Sequence, residues 1–121
     1  MAWSFDSKSP VSMQIANILR LSIVNGKYKA GEQFPTVRQL AYEASVNPNT
    51  MQKSLSILEA EGLLVTKSTS GRYVTEDITV IESTLASLQR KYLDRAISEG
   101  LELGISKEKF IKYIEERKDI I

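Results

Sequence analysis

From position 47 the chain runs Asn-Pro-Asn-Thr-Met-Gln-Lys, three amides, a hydroxyl and a lysine within two turns of any helix that starts there. Asn47 is a good N-cap, and Pro48 suits the first helical position, where a missing N–H costs nothing. Met51, Leu55 and Leu58 recur at helical spacing and bury one side. Asn49, Gln52, Lys53 and Ser56 fall on the other, with Thr50 beside them. These are the side chains that read duplex DNA. Asparagine and glutamine pair bidentately with adenine, threonine touches a thymine methyl or a phosphate, and lysine reaches guanine or phosphate. The amides of Asn49 and Thr50, at the positive end of the helix dipole, suit a phosphate oxygen. Taken alone, the stretch is read more simply as a cap on a solvated surface. Its neighbours decide.

Upstream, "TVRQLAYEAS" reads as a short helix with Val37, Leu40 and Ala41 inward and Arg38 outward. Ser45 to Asn47 leave room only for a tight turn, so the two helices describe a helix-turn-helix. Before it, "SPVSMQIANILRLSIVNG" reads as a first helix, capped by Ser9, with Pro10 in its first turn and Gly26 ending it. Ile15, Ile18, Leu19 and Ser22 share a face, and Leu21, Ile23 and Val24 make the rest apolar enough to be enclosed on more than one side. "KYKAGEQFP" is a turn-rich connector with a short strand at Gln33-Phe34. After the capped helix, which Gly62 stops, "LLVTK" and "RYVTE" flank Ser68 to Gly71 as a hairpin. A hairpin in that place is a wing.

In this setting Asn47, Asn49, Thr50, Gln52 and Lys53 become contacts to bases or backbone. Arg38, beside the turn, suits a phosphate, against the alternative of an ion pair with Glu43 or another acid. Lys67 and Arg72 flank the wing tip, where Gly71 permits close approach. They suit the minor groove or its phosphates, though charges on exposed hairpins also serve solubility alone.

From Ile78 the pattern changes. Ile81, Leu85, Leu88, Tyr92 and Ala96 make a seam along a long helix ending near Gly104, and Ser106 caps a last helix carrying Phe110, Ile111 and Ile114. The expected fold is mainly α with a small β-hairpin: a winged helix-turn-helix over residues 1–77 and a two-helix tail over 78–121. So short a tail forms no globule of its own and must pack on the winged domain or on a second chain. A lone winged helix binds weakly in physiological salt, whereas a two-fold dimer reads an inverted repeat. The seam is therefore expected to serve a homodimer. A small-molecule effector is placed between tail and winged domain, near Tyr92, Arg95 and Tyr113.

Composition narrows the classes. There is no cysteine and no histidine, which removes disulfides, thiolate metal sites and the commonest general base. No cofactor is expected. The pairs Glu59-Glu61, Glu76-Asp77 and Glu115-Glu116 come with no nucleophile motif, and no glycine loop cradles phosphate, so an enzyme is not expected. No apolar run spans a membrane and the N-terminus is no signal peptide, so a cytoplasmic location is expected. The net charge is only +1, with eight Lys/Arg against seven Asp/Glu up to Asp77 and eight of each beyond it. Any basic surface must come from local placement, which keeps a protein-interaction or RNA-binding winged helix as the rival reading.

The stretches "PVSMQI", "LRLSIVNGKYKAGEQFPTVRQLA", "VNPNTMQKSLSILEAEGLL" and "SGRYV", without a gap over residues 10–74, resemble the winged-helix domain of the GntR family of bacterial transcription regulators. "VNPNT" with so short a tail is most similar to the YtrA-type subfamily. The resemblance implies operator contacts at Arg38, Asn47, Asn49, Thr50, Gln52 and Lys53, the wing-tip glycine at Gly71, and dimerisation through the tail. It also implies repression of the protein's own operon, commonly one with transporter genes. The effector domains of larger relatives, some with histidine-bound metal or a pyridoxal-phosphate fold, do not fit this tail. Three positions depart from the family pattern: Ser12 where tyrosine is common, Pro48 where arginine or serine is common, and Thr69 in place of the first of two wing glycines.

Overall fold

The computed structural model describes residues 3–121. In chain order the elements are α1 (Val11–Val24), α2 (Val37–Ala44), α3 (Pro48–Ala60), β1 (Leu64–Thr66), β2 (Arg72–Val74), α4 (Ile78–Glu102) and α5 (Lys107–Glu116). The chain divides into two compact units, Met1–Leu85 and Ala86–Ile121, with the division inside α4. The architecture is mainly helical with one antiparallel hairpin, as expected.

In the first unit the apolar periodicities converge on one core. Ile15, Leu19 and Ile23 of α1 meet Leu40, Ala41 and Ala44 of α2 and Met51, Leu55 and Leu58 of α3, with Phe34, Leu63, Leu64 and Val74 closing it. A fully buried Leu or Ile contributes about 1.5–3 kcal/mol, and a helix cap about 1. Burial therefore sets where α3 lies, and the caps set where it begins and ends. Val80 and Ile81, in the first turn of α4, also pack on this core.

Two expectations for α1 change. Pro10, not Ser9, is its N-cap residue, and no side chain caps the helix. Its carbonyl accepts from the N–H groups of Met13 and Gln14, while the Gln14 amide donates to the carbonyls of Asp6 and Ser9. Of the apolar positions expected to be enclosed on more than one side, Ile15, Leu19, Ile23 and Val24 are buried, whereas Ile18 and Leu21 are exposed.

The wing pairs Leu64 with Val74, Val65 with Tyr73 and Thr66 with Arg72. The strand expected at Gln33-Phe34 is a single bridge from Gln33 to Tyr73, extended by a 2.8 Å bond from Phe34 N–H to the Arg72 carbonyl.

In the second unit α4 ends as helices commonly do, with Gly104 in the left-handed region. Ile105 N–H returns to the Gly100 carbonyl at 2.9 Å and Gly104 N–H to that of Leu101 at 3.0 Å. Ser106 then caps α5, its hydroxyl accepting from Lys109 N–H at 3.2 Å. The Phe110 ring sits against Gly100, the one buried residue of α4.

Candidate nucleic-acid interface

The helix-turn-helix is built from a reciprocal cap on α2, a tight turn and a one-way cap on α3. Thr36 and Gln39 form a capping box at the start of α2: each side chain accepts from the other residue's backbone N–H, at 3.1 and 2.8 Å. The box leaves Arg38 on the outward phase, exposed. Among the described residues it pairs with no carboxylate, and the ion pair to Glu43 is not formed. At the far end Ser45 is left-handed, φ 56°, and Val46 N–H closes back to the Ala41 carbonyl at 3.0 Å. The chain then turns directly into α3.

Asn47 caps α3 by accepting from Asn49 N–H at 2.7 Å, with Pro48 at the head of the helix. This alters one expectation. The Asn49 N–H is held by the cap and is not offered to phosphate, whereas among the described residues Thr50 N–H has no acceptor. The cap also engages the side-chain oxygen of Asn47, which is itself exposed. Asn49, Gln52 and Lys53 are exposed and Thr50 is half-buried. On the opposite side Met51, Ser54, Leu55 and Leu58 are buried. The Ser54 hydroxyl donates to the Ser12 carbonyl of α1 at 2.7 Å, a polar tie that fixes α3 along its axis.

The wing is braced at both ends. At the tip Gln33 donates to the Ser70 carbonyl at 2.8 Å, and Gly71 takes a φ of 103° that suits glycine alone. Lys67 is exposed, its ammonium 4.7 Å from the centre of the Tyr73 ring. Arg72 differs from expectation. It is partly buried, and its Nε donates to Glu59 of α3 at 2.5 Å while Thr66 donates to the other oxygen of the same carboxylate at 2.7 Å. The hydrogen bonds from Thr66 and then Arg72 hold the Glu59 carboxyl below the usual glutamate range. Arg72 thus ties the wing to α3. Of the four cations expected at the interface, Arg38, Lys53 and Lys67 remain exposed.

The residues expected to serve dimerisation are spread over both units. Ile81 packs on the winged core and Leu85 is half-buried. In the second unit Leu88 and Phe110 are half-buried, whereas Tyr92, Ala96, Ile111 and Ile114 are exposed. Leu93, Ile97 and Leu101 are exposed too. The seam pattern missed these three, because an i, i+4, i+8 series beginning at Leu93 reads equally well as a second stripe. Of the residues placed around an effector, Tyr92 is exposed, Arg95 pairs with Glu99 at 3.0 Å, and the Tyr113 hydroxyl accepts from Arg117.

Among the described residues no group of His, Cys, Asp or Glu could hold a metal ion, and no helix is long and apolar enough to cross a membrane.

Comparison with known proteins agrees with this geometry. Residues 11–74 match the profile described as bacterial regulatory proteins, gntR family. The chain is 30% identical over 110 residues to the uncharacterized HTH-type transcriptional regulator YhcF of Bacillus subtilis (strain 168), covering 91% of each. It is 30% identical over 112 residues to the HTH-type transcriptional repressor YtrA of the same organism, covering 91% of this chain and 85% of that one. A solved GntR family transcriptional regulator from Listeria monocytogenes superposes with a TM-score of 0.86 at 35% identity, over 94% of this chain and 100% of the other. These relatives are regulators, not enzymes. A helix-turn-helix whose outward residues suit DNA, a braced wing and a family match across both place the chain in the GntR family of DNA-binding transcription regulators.

Proposed function

We propose that the protein is a homodimeric repressor that reads an inverted-repeat operator. Residues 1–77 bind DNA and the two-helix tail, 78–121, holds two copies together. Asn49, Gln52 and Lys53 read base edges with the NH2 of Asn47, and Thr50 takes a phosphate through its free N–H. Arg38 and Lys67 hold the backbone on either side, and Gly71 lets the wing tip approach the minor groove. Ile81 serves the winged core in this reading. Leu88, Tyr92, Ala96, Phe110, Ile111 and Ile114 make the dimer surface, with Leu85 at its edge.

One observation carries the reading. The first two turns of α3 expose polar side chains on one side while the other is locked into the core by Met51, Ser54, Leu55 and Leu58. Such a helix presents its side chains to a groove without losing its own support. Repression is supported by the similarity to YtrA, a repressor by name, along most of both chains.

The test is selection of bound sequences from a random duplex pool at moderate salt. Enrichment of an inverted repeat with half-sites about one helical turn apart is the expected result. Enrichment of nothing, or of A·T-rich DNA without a repeat, would show that the amides of α3 do not read bases, and a protein or RNA partner would take the place of the operator.

A further inference from the structure

Tyr42 lies one helical turn beyond Arg38 on the outward side of α2 and is 88% exposed. The two side chains line an open groove of about 740 Å³ together with Ala41, Glu43, Ser45, Val46 and Pro48. Pro48 is the first residue of α3, so the groove reaches the head of the helix whose next residue is the exposed Asn49. An isolated exposed apolar residue is ordinary. A phenol beside an unpaired guanidinium, facing a concave surface at the head of the recognition helix, is a different matter.

We propose that this groove takes one strand of the DNA backbone and that Tyr42 is a positioning contact within it. Its hydroxyl donates to a phosphate oxygen and its ring lies against the neighbouring deoxyribose. The proposal rests on the reading of α3 as the recognition helix. A phenol O–H to an anionic oxygen is a charge-assisted bond, shorter and stronger than a neutral one, and tyrosine is among the side chains that hold DNA by its phosphates. Arg38 supplies the charge and Tyr42 a directed donor. Glu43, also in the lining, repels phosphate and directs the strand to the Arg38 and Tyr42 side. Together these contacts fix how far α3 enters the groove.

The difference in charge gives the test. Full-length protein, Tyr42→Phe, Tyr42→Ala and Arg38→Ala are titrated onto the duplex enriched by selection, over a range of salt concentrations. Loss of an uncharged donor weakens binding by about tenfold without changing the dependence on salt. Loss of Arg38 flattens the log–log salt slope by about 0.9 for each phosphate released. The melting temperatures of both Tyr42 variants are expected to match that of the unaltered protein. Equal affinity for Tyr42→Phe, Tyr42→Ala and the unaltered protein overturns the proposal. If repression in cells fails despite equal affinity, the groove serves a protein partner instead. An unaltered protein that binds no duplex specifically defeats the recognition-helix reading, and this proposal with it; binding by the unaltered protein separates the two failures.

Discussion

Asn47 and Asn49 look interchangeable in the chain but differ in freedom. The Asn47 oxygen is held by the cap, so that residue offers only its NH2, whereas the exposed Asn49 side chain keeps both donor and acceptor. Of the two, Asn49 is the one with both groups free to pair bidentately with adenine. Asn49→Ala is therefore expected to relax discrimination at one or two base pairs, by about 1–3 kcal/mol for the lost pair. Repeating the selection with the variant checks it, and an unchanged consensus would refute the assignment. Glu59 makes a second prediction at this scale. Its carboxyl titrates lower in the folded protein than in the unfolded chain, so as pH falls the unfolded chain takes up the proton first. The stabilisation is complete above the ordinary glutamate value and is lost as pH drops through the folded one. Glu59→Gln is expected to cost about 1 kcal/mol at neutral pH, discounted for partial exposure, and to flatten the acid limb. Urea midpoints between neutral pH and about pH 3, for both proteins, measure that loss. A variant with the same acid limb as the unaltered protein would show that the bonds from Thr66 and Arg72 contribute nothing.

Two small residues near helix ends have opposite consequences for their elements. Ser45 is left-handed at φ 56°, a conformation that penalises a side chain. Ser45→Gly is expected to stabilise the winged unit by about 1 kcal/mol, seen as a higher melting temperature. Gly100 is helical, and in an exposed helix Gly→Ala gains about 1 kcal/mol. Here an added Cβ would lie 2.8 Å from Phe110 Cε2 and overlap the rest of the ring edge. Gly100→Ala is therefore expected to destabilise the α4–α5 pair by about 1–3 kcal/mol, against helix propensity. A rise in melting temperature would mean that the Phe110 seat is not occupied. The elements themselves were legible because their signals are local: Pro48 after Asn47, Gly62 after a Leu-Leu stripe, and Ser106 before Lys107 each act within a turn. The Glu59–Arg72 pair was not, because it joins residues 13 apart through a strand pairing that must exist first. Gly100 was missed for the same reason: inside a helical pattern a glycine has no local rationale, and its partner lies across a turn.

At the scale of the whole molecule, the boundary drawn at Asp77 follows the change in hydrophobic period, whereas the compact units divide after Leu85. The difference has an energetic meaning, because Val80 and Ile81 pack on the winged core. A chain ending at Asp77 loses that packing and is expected to melt below one ending at Leu85. The longer truncation should keep the fold and lose the exposed apolar surface of Leu93, Ile97 and Leu101 together with all of α5. Its oligomeric state and its DNA affinity then move together if the tail holds the dimer. Sedimentation is expected to show a monomer, and operator binding should weaken steeply while its salt slope falls toward half, since one protomer neutralises half as many phosphates. A dimer that survives the cut would place the interface on the winged unit, where Met13 and Leu21 of α1 are exposed. A monomer that binds the full inverted repeat with undiminished affinity would instead separate recognition from assembly, and the tail would need another role.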